Sequence, residues 1–289
     1  INLALGTDNR KISSSWNAYQ FGGAFFRLNY AFDNRYLLEF NGRYDGSSRF
    51  PDNERWAFFP SASAGWRISE EPWFNVESKY LSNAKVRFSW GSLGNAAGLS
   101  NYQYKQTLGI STSSFILNGL RQNYMSSPAA LPSSLTWETA TTWDVGADLG
   151  FCDNRLTVSG DYYIRKTTDM IVKGPTVPDV FGADSPKGNY ADMTTRGYEI
   201  SLAWNDHFNL AGKRFNYSVK ATLADYYSVI DKFNNANKTL STKANQSLAG
   251  NYYEGMRIGE LWGYVSNGLW QDQGSIDAAE SKAHAAGQK

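Results

Sequence analysis

The chain has 289 residues, and 28 Lys and Arg against 27 Asp and Glu give a formal net charge of only +1. This balance argues against a nucleic-acid-binding protein that depends on attraction to phosphates. One cysteine excludes an internal disulfide framework and a cysteine-rich metal site, and two histidines leave little for zinc chemistry. We therefore expect no nucleic-acid partner, no bound metal and no cofactor.

Alternation of apolar and polar residues dominates the chain and predicts β-strands. In chain order the predicted strands span residues 26–32, 36–44, 58–69, 85–91, 141–149, 156–165, 198–205 and 215–223. In the second of them, Leu38 and Phe40 share one face while Glu39 and Arg43 share the other. Such alternation is typical of an antiparallel sheet with one apolar and one polar face. The Ala- and Gln-rich tail at 274–289 predicts a short helix.

Two architectures fit this pattern, a soluble β-sandwich and a transmembrane β-barrel, and the connection lengths favour the barrel. Short connections at 33–35, 150–155 and 206–214 alternate with longer ones at 45–57, 92–140, 166–197 and beyond 223, apart from a mid-length segment at 70–84. Outer-membrane barrels have short periplasmic turns and long external loops. Aromatic residues cluster at strand ends, as in an interfacial girdle: Tyr30, Phe32, Tyr36, Tyr44, Phe58, Trp66, Trp90 and Trp204.

The polar faces of the predicted strands carry charges of both signs. They are Glu39, Arg43, Arg67, Arg87, Asp144, Asp148, Asp161, Arg165, Glu199 and Lys220. A Lys or Arg facing lipid at mid-membrane costs about 2–4 kcal/mol, so we expect these side chains to face a wet lumen. There they can line a pathway for a hydrophilic solute, or form cross-strand pairs worth about 0.2–1 kcal/mol each. Both interpretations can hold at once.

Residues 43–50 read RYDGSSRF and mark the change from a strand to an external loop. Arg43, Asp45 and Arg49 are candidates for substrate contact at the external mouth. We favour the architectural interpretation, in which Asp45 and Gly46 form a turn and the arginines pair with neighbouring strands.

Aromatic residues in the long connections are a second set of candidate contacts. Tyr102, Tyr104, Tyr124, Phe181, Tyr190, Tyr252 and Tyr253 can stack on sugars or peptide side chains, or serve loop packing and partner contact. The carboxylate pair Asp144 and Asp148 raises the possibility of a glycosidase. Four residues along a strand separate these groups by about 13 Å, more than either glycosidase geometry uses. We therefore expect no enzymatic activity.

Several strings, in this order and spacing, carry a family resemblance. They are RYLL at 35–38, RYDGSSRF at 43–50, FPSASAGWRIS at 59–69, KVRFSWG at 85–91, LTWE at 135–138, NRL at 154–156 with DYY at 161–163, and GELWGY at 259–264 with NGLW at 267–270. Together they resemble the barrel of SusC/RagA-family TonB-linked outer-membrane transporters. The match extends from about residue 16 to about residue 271.

The resemblance implies a barrel of about 22 strands in the bacterial outer membrane. It also implies a plug domain reached by the TonB complex, a SusD-like surface lipoprotein as a lid, and TonB-energised uptake of glycans or peptides. We expect residues 1–289 to form about 8–10 strands of a single such barrel domain, an all-β antiparallel fragment without the plug or the closing C-terminal strands. A secreted soluble β-sandwich that binds glycans is the alternative.

Overall fold

The computed structural model describes residues 16–125, 130–132, 134–174, 180, 182, 185–235, 252–261, 269 and 272–285. Its main feature is one eight-stranded sheet in the order β1-β2-β3-β4-β7-β8-β9-β10. The strands are β1 (Phe21–Phe32), β2 (Tyr36–Ser47), β3 (Trp56–Arg67), β4 (Asn83–Asn95), β7 (Glu138–Phe151), β8 (Leu156–Lys173), β9 (Lys187–Leu210) and β10 (Lys213–Lys232). Between β4 and β7, β5 (Ile110–Thr112) and β6 (Asn123–Met125) form a small hairpin, and the helix α1 (Gln273–Ala285) follows later in the chain.

Every pairing in the main sheet is antiparallel and joins strands in chain order, which confirms the eight predicted strands. The connections at 33–35, 68–82, 152–155 and 211–212 lie at one end of the sheet, and those at 48–55, 96–137 and 174–186 lie at the other. The β1–β2 turn places Asp33 and Asn34 at φ 49° and 55°. Asp and Asn tolerate this left-handed conformation because their short side chains can bond locally.

The apolar face of the sheet is uncovered in the part of the chain that the structure describes. Phe26, Leu28 and Phe40 keep 47–60% of their surface exposed, and Trp143 and Val145 keep 50% and 53%. Leaving such a side chain in water costs about 1.5–3 kcal/mol relative to burial. A β-sandwich buries the apolar faces of its sheets against each other, whereas a barrel wall turns its apolar face outward to lipid. The exposed apolar face of this sheet has the second arrangement.

The sheet is open within the described residues, with β1 and β10 as its edges. Near the long-loop end, the segment 254–258 covers the edge of β10: Ile230 donates its N–H to Met256 at 3.0 Å, and Ile258 donates to Ser228 at 2.9 Å. This pairing satisfies backbone groups that an edge strand leaves unpaired. Among the described residues, no helix has the length and apolarity to cross a bilayer.

Strands β8, β9 and β10 extend further toward the long-loop end than the alternation predicted. Following each strand from the short-turn end toward the long-loop end, the apolar face reaches its first charged residue above the apolar band at Lys166, Arg196 or Asp225. The hydrogen-bonded pairing of the strands continues past all three residues. Polar and apolar side chains are mixed on both faces of this extension, so the regular alternation ends although the strands do not. The three strands therefore project beyond the apolar band.

A compact cluster of buried side chains lies at the long-loop end, on the polar side of the sheet. It joins Phe59 of β3 to four loop residues, Phe50, Leu99, Leu135 and Trp137. The Phe50 side chain is fully buried, and its ring centroid lies 4.6 Å from that of Trp137. The loops 48–55 and 96–137 are thus packed on the side of the wall that carries the charges.

Candidate functional site: the polar face of the wall

An arginine on β4 organises the centre of the polar face. Arg87 Nη2 donates to Asp148 Oδ1 on β7 at 3.1 Å and to Asp161 Oδ2 on β8 at 3.2 Å. Ser159 donates to the same Asp148 oxygen at 2.8 Å. These side chains are only partly exposed, so their charges are less screened than those of surface ion pairs.

A glycine makes this three-strand cluster possible. Gly146 of β7 lies opposite both Arg87 and Asp161 in the strand register. A Cβ atom at this position would lie 3.0 Å from Arg87 Nη2 and would clash with the Asp161 carboxylate. The missing side chain lets the guanidinium cross over β7 to a strand that is not its neighbour. Gly146 therefore determines the geometry of the cluster, and the period-2 pattern that predicted the charges gives no signal for it.

Two further predicted acidic residues, Asp144 and Glu199, lie on the same face near the cluster. Glu199 is directly opposite Asp161 in the β8–β9 register, and Asp144 is opposite Ser89 of β4. A concavity of about 540 Å³ opens on this face, lined in part by Glu39, Lys85, Arg87, Ser89 and Asp144. The predicted residues Arg87, Asp144, Asp161 and Glu199 are thus brought together at mid-height of the wall.

The predicted mouth residues have structural partners. Arg43 Nη2 lies 3.0 Å from Asp45 Oδ2, a pair on the same strand rather than between strands. Residues Asp45 and Gly46 belong to β2, so the predicted Asp-Gly turn is wrong; the turn begins at Ser48. A Cβ at position 46 would meet the ring of Trp56, which explains glycine there through close packing instead of turn geometry.

The remaining predicted arginines occupy three different levels. Arg49 donates to Asn101 Oδ1 at 2.9 Å and stacks on Tyr19, so it fastens two loops together at the mouth. Arg67 donates to Asn34 at 2.7 Å at the opposite, short-turn end. Arg165 donates to Thr142 Oγ1 at 3.3 Å, just above the central cluster. Only Arg49 and Arg43 are near the mouth.

The predicted loop aromatics divide between exposed and packed positions. Tyr102 is 38% exposed, and Tyr124 on β6 is 54% exposed. Tyr104 packs against the buried cluster, and the Tyr252 ring meets Phe233 edge-on at 5.8 Å. Tyr253 donates to Glu260 at 2.9 Å, and burial together with this hydrogen bond raises the pKa of the phenol. Phe181 lies outside the described residues.

A crevice of about 370 Å³ lies at the mouth between the two packed loops, lined in part by Pro51, Asn53, Tyr104, Leu131 and Thr136. Asn189 of β9 holds its rim: its amide donates to the Thr136 carbonyl at 2.9 Å, and its Oδ1 accepts the Thr136 N–H at 2.8 Å. Asn189 could not be predicted from the sequence, since an asparagine on an extended polar strand carries no distinguishing pattern.

The polar face carries basic and acidic side chains that form ion pairs with one another. Among the described residues, no group of three or more His, Cys, Asp or Glu side chains is arranged to hold a metal ion. An antiparallel sheet with one apolar outer face, one charged face, and short turns and long loops at opposite ends defines the wall of an outer-membrane β-barrel.

The chain belongs to the TonB-dependent receptor β-barrel family, because residues 2–284 match the family model described as "TonB dependent receptor-like, beta-barrel". This membership confirms the predicted SusC/RagA-type resemblance and places the chain in the bacterial outer membrane.

Individual relatives support the same family membership. The chain is 32% identical over 278 residues to the TonB-dependent receptor SusC of Bacteroides thetaiotaomicron, covering 89% of this chain and 27% of SusC. It is 31% identical over 283 residues to the TonB-dependent receptor P26 of Formosa agariphila, covering 96% of this chain and 28% of that receptor. A structure of the RagAB peptide transporter superposes with a TM-score of 0.69 at 27% identity, covering 84% of this chain and 26% of that one. The chain thus spans about a quarter of the length of these relatives.

Proposed function

We propose that the chain forms part of the wall of an outer-membrane importer that takes up large hydrophilic solutes, glycans or peptides. The observation that carries this proposal is the charge cluster around Arg87, which turns paired polar groups away from the apolar face. Such a surface suits the passage of a hydrated solute, because it offers hydrogen-bonding groups while the paired charges largely cancel at a distance. The relatives named as TonB-dependent receptors and as a peptide transporter support the same function.

In this proposal the described residues bind and guide the solute without catalysing a reaction on it. Exposed side chains of the mouth, such as Tyr102 and Tyr124, make the first contacts by stacking. The loops held by Arg49 and Asn189 keep the mouth in shape. The energy for release inward comes from the TonB complex acting through a plug domain elsewhere in the longer protein, and a SusD-like lipoprotein closes the mouth from outside.

The uptake experiment compares the source bacterium with a strain lacking the gene for the full-length protein. Cells are given fluorescent oligosaccharides or fluorescent oligopeptides of matched size, and the internalised label is measured. Loss of uptake for one of the two classes supports the proposal and identifies the substrate class. Unchanged uptake of both classes over a broad panel contradicts it.

The partner experiment purifies the tagged full-length protein from membranes in mild detergent. A stoichiometric lipoprotein that co-purifies, and that is released when the mouth loops are replaced, supports the lid. Purification of the importer alone, together with normal uptake in a strain lacking neighbouring lipoproteins, contradicts it. If the native protein is recovered in the soluble fraction without detergent, the membrane proposal itself fails.

A further inference from the structure

The connection between β3 and β4, residues 68–82, exposes an unusual amount of apolar surface for a turn at the short-turn end. Trp73 is 62% exposed, Val76 46% and Tyr80 66%, and Phe74 is half-buried. We call this segment the aromatic turn. Glu77 and Lys79 lie between these residues, so the turn mixes large rings with charges of both signs.

The start of the aromatic turn is fastened to the apolar face of the wall. Glu71 is buried and accepts hydrogen bonds from Tyr36 Oη at 2.6 Å, Trp66 Nε1 at 2.9 Å and Arg35 Nη1 at 3.1 Å. Tyr36 and Trp66 are register partners on β2 and β3, and both belong to the apolar face. The chain therefore leaves β3 on the side that faces lipid.

The far end of the aromatic turn is attached to the β7–β8 turn. Ser82 donates its N–H to Gly150 at 2.7 Å, while Cys152 and Asp153 donate theirs to Lys79 and Ser78, each at 3.2 Å. Hydrogen bonds thus fix both ends of the aromatic turn, and residues 72–77 lie between them, next to the short-turn end of the apolar band. Their exposed rings are thus held in position by the wall.

We infer that the aromatic turn is a lipid-binding surface that inserts Trp73, Phe74 and Tyr80 into the headgroup–acyl boundary of the periplasmic leaflet. Three observations carry this assignment. The turn is continuous with the lipid-facing band through Tyr36 and Trp66. It lies at the short-turn end, which is periplasmic in outer-membrane barrels. Its composition, amphipathic rings beside charged residues, is the one that membrane interfaces favour. The inference stands apart from the import function, because a barrel of any function can use it.

The test measures how nitroxide labels on the full-length protein collide with oxygen, which partitions into lipid, and with a nickel chelate, which stays in water. Trp73→Cys and Tyr80→Cys are each introduced into a Cys152→Ser background and labelled. The Cys152→Ser protein without an added cysteine is treated with the same label, and its signal is subtracted as background. The protein is placed in nanodiscs of phosphatidylethanolamine and phosphatidylglycerol. Leu28→Cys on the apolar band and Asp52→Cys on an exposed outer loop are the lipid and water controls.

At positions 73 and 80 we expect the oxygen collision rate to exceed the nickel rate severalfold, at a depth between the two controls. A label that collides mainly with the nickel chelate overturns the inference, since the turn then stands in the periplasm. A label that neither reagent reaches also overturns it, since another part of the longer protein then covers the turn. Brominated lipids provide a second measurement: the fraction of tryptophan fluorescence that they quench should fall in Trp73→Phe, as in Trp143→Phe on the lipid-facing band. An unchanged quenched fraction in Trp73→Phe overturns the inference.

Discussion

The Arg87 guanidinium and the Asp161 carboxylate meet 3.0 Å apart although they belong to β4 and β8, with β7 between them. Neighbouring strands lie about 4.8 Å apart, so the Arg87 side chain must pass over β7 to reach β8. Gly146 is the β7 residue at this crossing, and a Cβ there would meet both Arg87 and Asp161. The central pairing of the polar face thus depends on a residue that carries no charge.

Gly146→Ala should therefore destabilise the wall. The added methyl group must push Arg87 or Asp161 aside, and overpacking of this kind costs about 1–3 kcal/mol. The measurement is the urea midpoint of the refolded full-length protein, followed by heat-modifiable gel mobility. Gly160→Ala is the matched control, because a Cβ there meets only one backbone oxygen at 4.0 Å. Equal midpoints for the two variants would contradict the role of Gly146.

Arg87→Met and Asp148→Asn should show strong coupling in a double-mutant cycle. Arg87→Met leaves both Asp148 and Asp161 without their counterion, whereas Asp148→Asn removes one of the two carboxylates that Arg87 contacts. After the double change only Asp161 is left without a counterion, so the cost of the two single changes is not additive. We expect a coupling energy of about 0.5–3 kcal/mol from the free energies of unfolding. The pair Arg27 and Glu39, whose arginine is 61% exposed, serves as control and should couple by less, within about 1 kcal/mol. Additive effects at Arg87 and Asp148 would show that the cluster is not a unit.

Glu71 should make stability depend on pH. Hydrogen bonds from Tyr36, Trp66 and Arg35 hold its pKa below the ordinary glutamate value. Because the folded-state pKa is the lower one, the stabilisation is complete above the unfolded-state pKa and is lost as pH falls through the folded-state pKa. Glu71→Gln should flatten this part of the pH profile of the urea midpoint. A profile parallel to that of the parent protein would contradict it.

Asn189→Ala should loosen the mouth without affecting the wall at mid-height. The variant leaves both backbone groups of Thr136 without their partners, which costs about 1–3 kcal/mol for buried groups. We expect faster proteolysis within residues 96–137 in the folded protein, measured by mass spectrometry of the first fragments. Asn53→Ala, at an exposed position of the neighbouring loop, is the control and should leave the cleavage rate unchanged. Equal rates for the two variants would exclude Asn189 as the anchor.

Val145→Arg tests which face meets lipid. Val145 is 53% exposed on the apolar face, so an arginine there should cost about 2–4 kcal/mol of folding stability in bilayers. Ser63→Arg, on the polar face, should cost clearly less in the same refolding titration. The reverse order of the two variants would mean that the faces have been assigned the wrong way round.

The strands and their two faces could be predicted from alternation, because a side-chain period of two is a direct consequence of strand geometry. The sequence predicted which charges share a face, but not that Arg87 reaches Asp161, since that contact depends on register across three strands. It placed a turn at Asp45 and Gly46, where local turn propensity competes with strand pairing and packing against Trp56. It also ended β8 and β10 too early and began β9 too late, because the regular alternation of apolar and polar residues stops before these strands do.

The continuation of β8, β9 and β10 past Lys166, Arg196 and Asp225 has a mechanical consequence. The loops that follow these strands therefore start from a hydrogen-bonded sheet above the apolar band and not from its rim. The exposed edge of this sheet, on β10, is paired with residues 254–258. The height of this platform above the apolar band is set by the backbone pairing of β8, β9 and β10. It does not depend on the sequence of the loops.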